Sequence, residues 1–416
     1  MKSDLDPLMQ SKNLDAILVI GNATYNPPMY YLTGGGHVSA ATLVKKRGAE
    51  AVLFCNDMER DEAARSGLKV IPYGTYNYEL LLEEASGDPA LASALRYKRM
   101  FTELGLHGRV GIYGNTDLGS AFVVFTHLQK LMPELELVGE TRDDSLFMKA
   151  METKDEAEVD RIRQMGKVTT QVVGRVADYL TGCEVRDDEV LLKEDGSPLT
   201  IADVKSRINL WLAELGAENP EGTIFAIGRD AGVPHSAGTP TDLMRLGQTI
   251  VFDIYPCEAG GGYFYDFTRT WSLGYATPAA QKLYDQVKAV YQKVTENLDL
   301  NASFKDYHRL VCDEYEKNGH KTPLHTPAPL DGYVHSLGHG VGLNIHERPW
   351  SGLTASEDNI LKPGVIITIE PGLYYPEKGM GVRIEDTYWV RPDGTIEKLA
   401  EYPYDFVLPM KKWKKK

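Results

Sequence analysis

Asp253, Asp266, His339, Glu370 and Glu385 are five residues of this chain whose types and settings could hold metal, and all of them fall in its last two fifths. Four carboxylates and one imidazole form an oxygen-rich set suited to two divalent cations, because four negative charges offset the four positive charges of two ions. Such a set points to a dinuclear hydrolase. Carboxylate-rich sites accept manganese, cobalt, zinc and iron with small preference, and manganese is the first expectation.

Each candidate sits in a local pattern that orients it. The segment from Ile250 to Trp271 has strand-like flanks around Cys257-Glu258-Ala259-Gly260-Gly261-Gly262, which predicts a hairpin. A turn centred between Ala259 and Gly260 makes Asp253 and Asp266 direct cross-strand partners, with Cβ atoms roughly 5 Å apart. Facing carboxylates repel, and a cation between them removes the penalty. A bulge that shifts the register, leaving two solvated aspartates, is the competing reading. In the run from Gly332 to Glu347, His335 and His339 have helical spacing, but Gly338, Gly340 and Gly342 argue against a helix and for close approach of backbone to a metal or substrate. His346 closes the same segment. Glu370 ends the apolar run Val365 to Ile369 just before Pro371-Gly372, at the end of a buried strand. Strand alternation puts Arg383 and Glu385 on one face and Val382 and Ile384 on the other. From that face Arg383 can orient a metal-bound carboxylate, meet an anionic substrate group, or form an internal ion pair.

Positioning these groups takes a large scaffold. A chain of 416 residues, 43% hydrophobic and 25% charged, is globular and too long for one ordinary core, so two domains, or at most three, are expected. Short apolar runs (Asp15 to Ile20, Ala51 to Cys55, Lys69 to Tyr73, Arg109 to Tyr113) alternate with helical patterns (Met58 to Arg65, Glu79 to Leu106), which predicts an α/β domain. Gly34-Gly35-Gly36 follows no strand-turn-helix pattern and reads as a loop. A polar stretch, Glu140 to Asp144, closes this part. Thr153-Lys154-Asp155-Glu156 reads as a capping box opening a long amphipathic helix through Val159, Ile162, Met165, Val168, Val172 and Val176. Further helices are expected from Thr200 and from Thr277-Pro278. From about Thr223 onward, strand patterns and glycine dominate.

The net charge of -14 opposes any large contact with nucleic acid. No window reaches the length of a membrane span, and the charged first twenty residues give no export signal, so no membrane association is expected. Cys55, Cys183, Cys257 and Cys312 lie far apart, which suits a reducing compartment and predicts a cytoplasmic protein; Cys257 reads as a small apolar filler. The terminal Lys-Lys-Trp-Lys-Lys-Lys reads as a solvated tail.

The five candidate ligands, together with the strings GHGVGL, IEPGLYYP and GVRIED, resemble the pita-bread metallopeptidases, the family of prolidase, aminopeptidase P and methionine aminopeptidase. The likeness covers nearly the whole chain. It implies a creatinase-like α/β N-terminal domain over residues 1–150 and an α+β pita-bread (creatinase/aminopeptidase) catalytic domain over 151–416. The spacing between the two aspartates is longer than in many members and resembles a variant among Xaa-Pro peptidase relatives.

By that resemblance Asp253 holds one metal, His339 and Glu370 the other, and Asp266 and Glu385 bridge both, with a hydroxide between the ions attacking the scissile carbonyl. Glu370 shuttles the proton. His235 lies near the scissile bond and, with His346 and Arg383, contacts substrate; His335 and His346 polarise the carbonyl or stabilise the tetrahedral intermediate. The implied activity is removal of the residue before proline from peptide N-termini, with a strict Xaa-Pro dipeptidase as the alternative. A metal-free creatinase-like or peptide-binding relative is a more distant one. The proline amide carries no N–H, which explains the need for a dedicated site. In such relatives the N-terminal domain often acts across a homodimer.

Overall fold

The computed structural model describes residues 4–413, so Lys414, Lys415 and Lys416 of the basic tail lie outside the described residues. Its contacts group the chain into two compact units: Met1–Met151 with Gly260–Gly262, and Glu152–Ala259 with Tyr263–Lys416. Among the described residues no helix is long and apolar enough to cross a membrane.

The first unit is built on a six-stranded sheet in the order Lys69–Pro72, Val52–Cys55, Ala41–Lys46, Ala16–Gly21, Gly108–Asn115, Leu135–Val138. Ala16–Gly21 runs antiparallel to Ala41–Lys46 and parallel to Gly108–Asn115. Its consecutive buried residues mark a strand covered on both faces. The helical pattern from Glu79 to Leu106 is two helices, Tyr78–Glu84 and Pro89–Glu103. The break falls where Gly87 adopts φ +86° and Asp88 caps the second helix by accepting from the amides of Ala90 and Leu91, with Pro89 in its first turn. Gly34, in the left-handed region, caps the helix Pro27–Thr33.

The second unit opens with the helix Glu156–Gly182. Its capping box lies two residues beyond the expected one: Asp155 accepts from Glu158 N, and the Glu158 carboxylate reaches back to Asp155 N. Thr153 instead forms a bridge to Val365, and the Lys154 amide donates to Gly364 O. Asp at the cap with Glu three positions later satisfies the same orphan amides, and the bridge leaves Thr153 extended. Thr200 caps Ile201–Glu214 and Thr277 caps Pro278–Thr295, through accepted bonds from Asp203 N and Ala280 N.

Among the described residues of this unit, two larger sheets stand beside three two-stranded pairs, one of which joins Gly372–Tyr375 to Met380–Arg383. The first larger sheet orders Thr223–Ile227, Thr249–Ile254, Phe267–Leu273, Val407–Leu408; the second orders Glu347–Trp350, His339–Gly340, Ile366–Ile369, Asp386–Val390, Ile396–Lys398. These two meet where the Glu385 amide donates to Thr268 O (3.0 Å). Val287, Val311, Ile367, Val382 and Ile384 pack in the core behind the second sheet, so the opposite faces of the strands around 383–385 are left for polar groups.

The hairpin register differs from expectation. Asp253 pairs with Thr268, and Cys257 bridges to Phe264, so the turn centres between Gly260 and Gly261. Those two residues have φ of +86° and +83°, a conformation that Ala259 would enter only with strain. Asp266 is therefore the diagonal neighbour of Asp253, not its direct partner.

Candidate active site

A cavity of about 480 Å³ in the second unit is lined by all five candidate ligands and by His235, His335, His346 and Arg383. Asp253 comes from the strand Thr249–Ile254; Asp266 immediately precedes Phe267–Leu273; His339 begins a short strand; Glu370 follows Ile366–Ile369; and Glu385 precedes Asp386–Val390. Strand ends converging on one opening place these carboxylates together.

Asp266, His339 and Glu385 each bring one ligating atom within 4.8 Å of the others. His339 Nε2 lies 3.6 Å from Asp266 Oδ2 and 3.5 Å from Glu370 Oε1. Its Nδ1 is 3.0 Å from Gly340 O, so that nitrogen donates and Nε2 turns its lone pair to the carboxylates. Asp253 is held differently, since Arg383 Nη2 donates to its Oδ2. The remaining Arg383 donors go to Thr268 Oγ1, Pro234 O and the Tyr374 hydroxyl. Thr268 Oγ1 donates to Glu385 Oε2 (2.7 Å).

This geometry is electrostatically incomplete without cations. Asp253, Asp266, His339 and Glu385 are 8%, 4%, 6% and 1% exposed, so water screens them little. Burial, reinforced by Glu385 and Asp253, drives the Asp266 carboxyl well above the ordinary range. Burial and the charge of Glu385 do the same to Glu370, and burial with the charge of Asp253 pushes Glu385 up to about 8. Burial holds His339 and His335 down at about 3, which keeps both imidazoles neutral. Asp253 Oδ1, Asp266 Oδ1 and Glu385 Oε1 are buried with no hydrogen-bond donor. Three orphaned carboxylate oxygens beside a neutral imidazole lone pair are the donor set a divalent ion takes, so the residues fit such a group.

The histidines differ in exposure. His235 and His346 are exposed at the cavity, and the His346 ring packs edge-on against His339 at 4.4 Å. His335 is half-buried: Nδ1 donates to Ser336 O and Nε2 accepts from the Tyr374 hydroxyl (2.9 Å). Sequence reasoning missed Thr268, Tyr374 and Lys205. Thr268 could have been found from strand alternation, two residues after Asp266. Tyr374 and Lys205 carry no such signal, because each reaches the site from a separate element. Cys257 is buried and free, its thiol pushed up to about 12 by burial, in keeping with a filler role.

A strand-built cavity lined by four carboxylates and one neutral imidazole is the donor set of a divalent-metal site. The chain belongs to metallopeptidase family M24, whose model matches residues 160–392, and a creatinase/prolidase N-terminal domain model matches residues 3–142. The family implies divalent metal ions. Relatives include the Xaa-Pro dipeptidase of Pyrococcus furiosus, 30% identical over 51% of this chain and 58% of that protein, and a putative dipeptidase of Bacillus subtilis, 30% identical over 61% and 62%. The chain thus spans under two thirds of those relatives. The Xaa-Pro dipeptidase of Pyrococcus horikoshii is 24% identical over 93% of both chains. Solved structures share the fold, with this α/β unit and the α+β pita-bread unit: the prolidase from Pyrococcus horikoshii OT3 (TM-score 0.72, 21% identity, 97% of this chain and 98% of that one) and the X-Pro aminopeptidase from Thermotoga maritima (0.73, 19%, 96% and 99%).

Proposed function

We propose that this protein is a metal-dependent exopeptidase that hydrolyses the bond before proline in short peptides, acting as an Xaa-Pro dipeptidase. The observation that carries the reading is the set of orphaned oxygens on Asp253, Asp266 and Glu385 facing one cavity with the His339 lone pair. Asp253, Asp266, His339, Glu370 and Glu385 would hold two divalent ions, manganese first, with cobalt, zinc or iron as alternatives. Bound there, the ions would supply Lewis acidity and lower the pKa of water.

The chain's own residues do the rest. His339, neutral with Nδ1 committed to backbone, offers only Nε2 to the centre. Glu370, half-buried with Oε1 3.5 Å from His339 Nε2, lines the cavity with a carboxylate that would hold and pass a proton. Arg383 and Thr268 hold Asp253 and Glu385 in orientation. His235 and His346, exposed at the cavity, are placed to touch a bound peptide, and His335 braces Tyr374. Residues 1–150 form the N-terminal domain of the reading, and residues 151–416 the catalytic domain.

The second reading, an aminopeptidase acting on longer peptides, is favoured by the likeness to the Thermotoga maritima X-Pro aminopeptidase. A cytoplasmic homodimer completes the proposal; four buried free cysteines support a reducing compartment. The test is reconstitution of metal-stripped protein with each ion, assayed on an Xaa-Pro dipeptide and an Xaa-Pro-Xaa tripeptide. Turnover of the dipeptide alone supports the proposal. Faster turnover of the tripeptide establishes the second reading, and no turnover of either with any ion ends both.

A further inference from the structure

A peptide entering this cavity brings a terminal carboxylate as well as a scissile amide, and the cavity must present something to it. Its lining contains two permanent cations, Lys205 and Arg383. Arg383 is spent: its side chain is 3% exposed, and its guanidinium donates to Asp253, Thr268, Tyr374 and Pro234. Turning it toward a ligand would strip Asp253 of its partner. The two most buried histidines of the lining are also committed: His335 binds Ser336 O and the Tyr374 hydroxyl, and His339 binds Gly340 O and turns its other nitrogen to Asp266 and Glu370.

Lys205 stands differently. It projects from the helix Ile201–Glu214, is half-buried, and among the described residues its Nζ donates to one acceptor, Ala237 O at 3.1 Å. No carboxylate among the described residues reaches it within ion-pair distance. Glu221, which lines the same cavity, forms no ion pair with it. Burial lowers the lysine's affinity for its proton, with no neighbouring charge to offset the effect. A partly desolvated ammonium with unused donors in a cavity whose other acids form the metal cluster is complementary to one more anion, delivered from outside.

We propose that Lys205 is a specificity-determining residue that pairs with the free α-carboxylate of an Xaa-Pro dipeptide. The inference rests on the functional reading above and adds the group that makes the enzyme a dipeptidase. An ammonium placed this way rewards a substrate that ends at proline, and rewards less one whose proline carboxyl is locked in a further amide.

The test compares alanyl-proline with alanyl-proline amide, and alanyl-proline amide with glutamyl-proline amide, in the metal-loaded wild type and in Lys205→Gln and Lys205→Arg. In Lys205→Gln the preference for free acid over amide, as a ratio of kcat/KM, is expected to fall about tenfold through KM, and Lys205→Arg is expected to restore most of it. An unchanged ratio in a Lys205→Gln protein with wild-type thermal unfolding overturns the proposal. Loss of preference only between the glutamyl and alanyl amides also overturns it, by assigning Lys205 to a substrate side chain. Wild-type protein inactive on all three peptides would defeat the functional reading itself, a different result from an active enzyme indifferent to Lys205.

Discussion

Arg383 Nη2 lies 2.5 Å from Asp253 Oδ2, while Oδ1 of the same carboxylate, equally buried, has no donor at all. One oxygen is tied to the protein and the other is left to the cavity. The two residues come from different strands, and their pairing makes Asp253 both a candidate ligand and the counter-charge of a buried guanidinium.

Removing Asp253 therefore does two things. Asp253→Ala is expected to abolish turnover and also to strip Arg383 of its partner, at about 3–5 kcal/mol of stability. Asp253→Asn keeps the shape and an acceptor for Arg383, and should lose activity with a smaller fall in thermal midpoint. Full activity in either variant would refute the ligand assignment.

Thr268 ties the centre together by donating to Glu385 Oε2 and accepting from Arg383 Nε. Thr268→Val keeps the volume and removes both bonds. Metal affinity is expected to fall about 10–100-fold, measured by calorimetric titration of manganese into stripped protein. Unchanged affinity would show that the Glu385 carboxylate needs no such support.

Behind the centre, Arg269 is 1% exposed and donates to Thr268 O, Glu385 O, Asp386 Oδ1, Tyr402 O and Pro403 O. Asp386 also accepts from Tyr404 and Tyr291. Arg269→Ala leaves a buried carboxylate and several carbonyls unpaired, and an unfolding free energy lower by about 3–5 kcal/mol is expected in denaturant titration. A change under about 1 kcal/mol would mean that water replaces the guanidinium.

The metal-free protein should lose stability as pH rises from 7 to 8. Glu385 is raised to about 8 in the fold from an ordinary value of 4.5, and Asp266 and Glu370 are raised too, so the folded chain retains protons that the unfolded chain has released. His335 and His339, held at about 3, give the opposite slope, but it is largely complete by pH 7. Metal loading should flatten the dependence and release protons, measurable as buffer-dependent heats of binding. A melting temperature that climbs with pH in stripped protein would contradict this account.

Much of this was legible in the chain. The residue types at 253, 266, 339, 370 and 385, and the alternation that separates Arg383 and Glu385 from Val382 and Ile384, were readable because strand periodicity and strand-ending glycine and proline are local properties. The helix starts at Thr200 and Thr277 were readable for the same reason. The first capping box and the hairpin register were misplaced by two residues and by one position at the turn, because neighbouring sequences offered nearly equal local solutions. The positive φ of two successive glycines and the bridge from Thr153 to Val365 decided between them.

The sequence by itself determined which groups could hold metal and which strands would carry them, since those follow from side-chain chemistry and short-range pattern. Only the tertiary structure decided which of them lack partners. It tied Arg383 to Asp253, brought Tyr374 against His335, and left Lys205 open to the cavity, because pairing and desolvation depend on neighbours far apart along the chain.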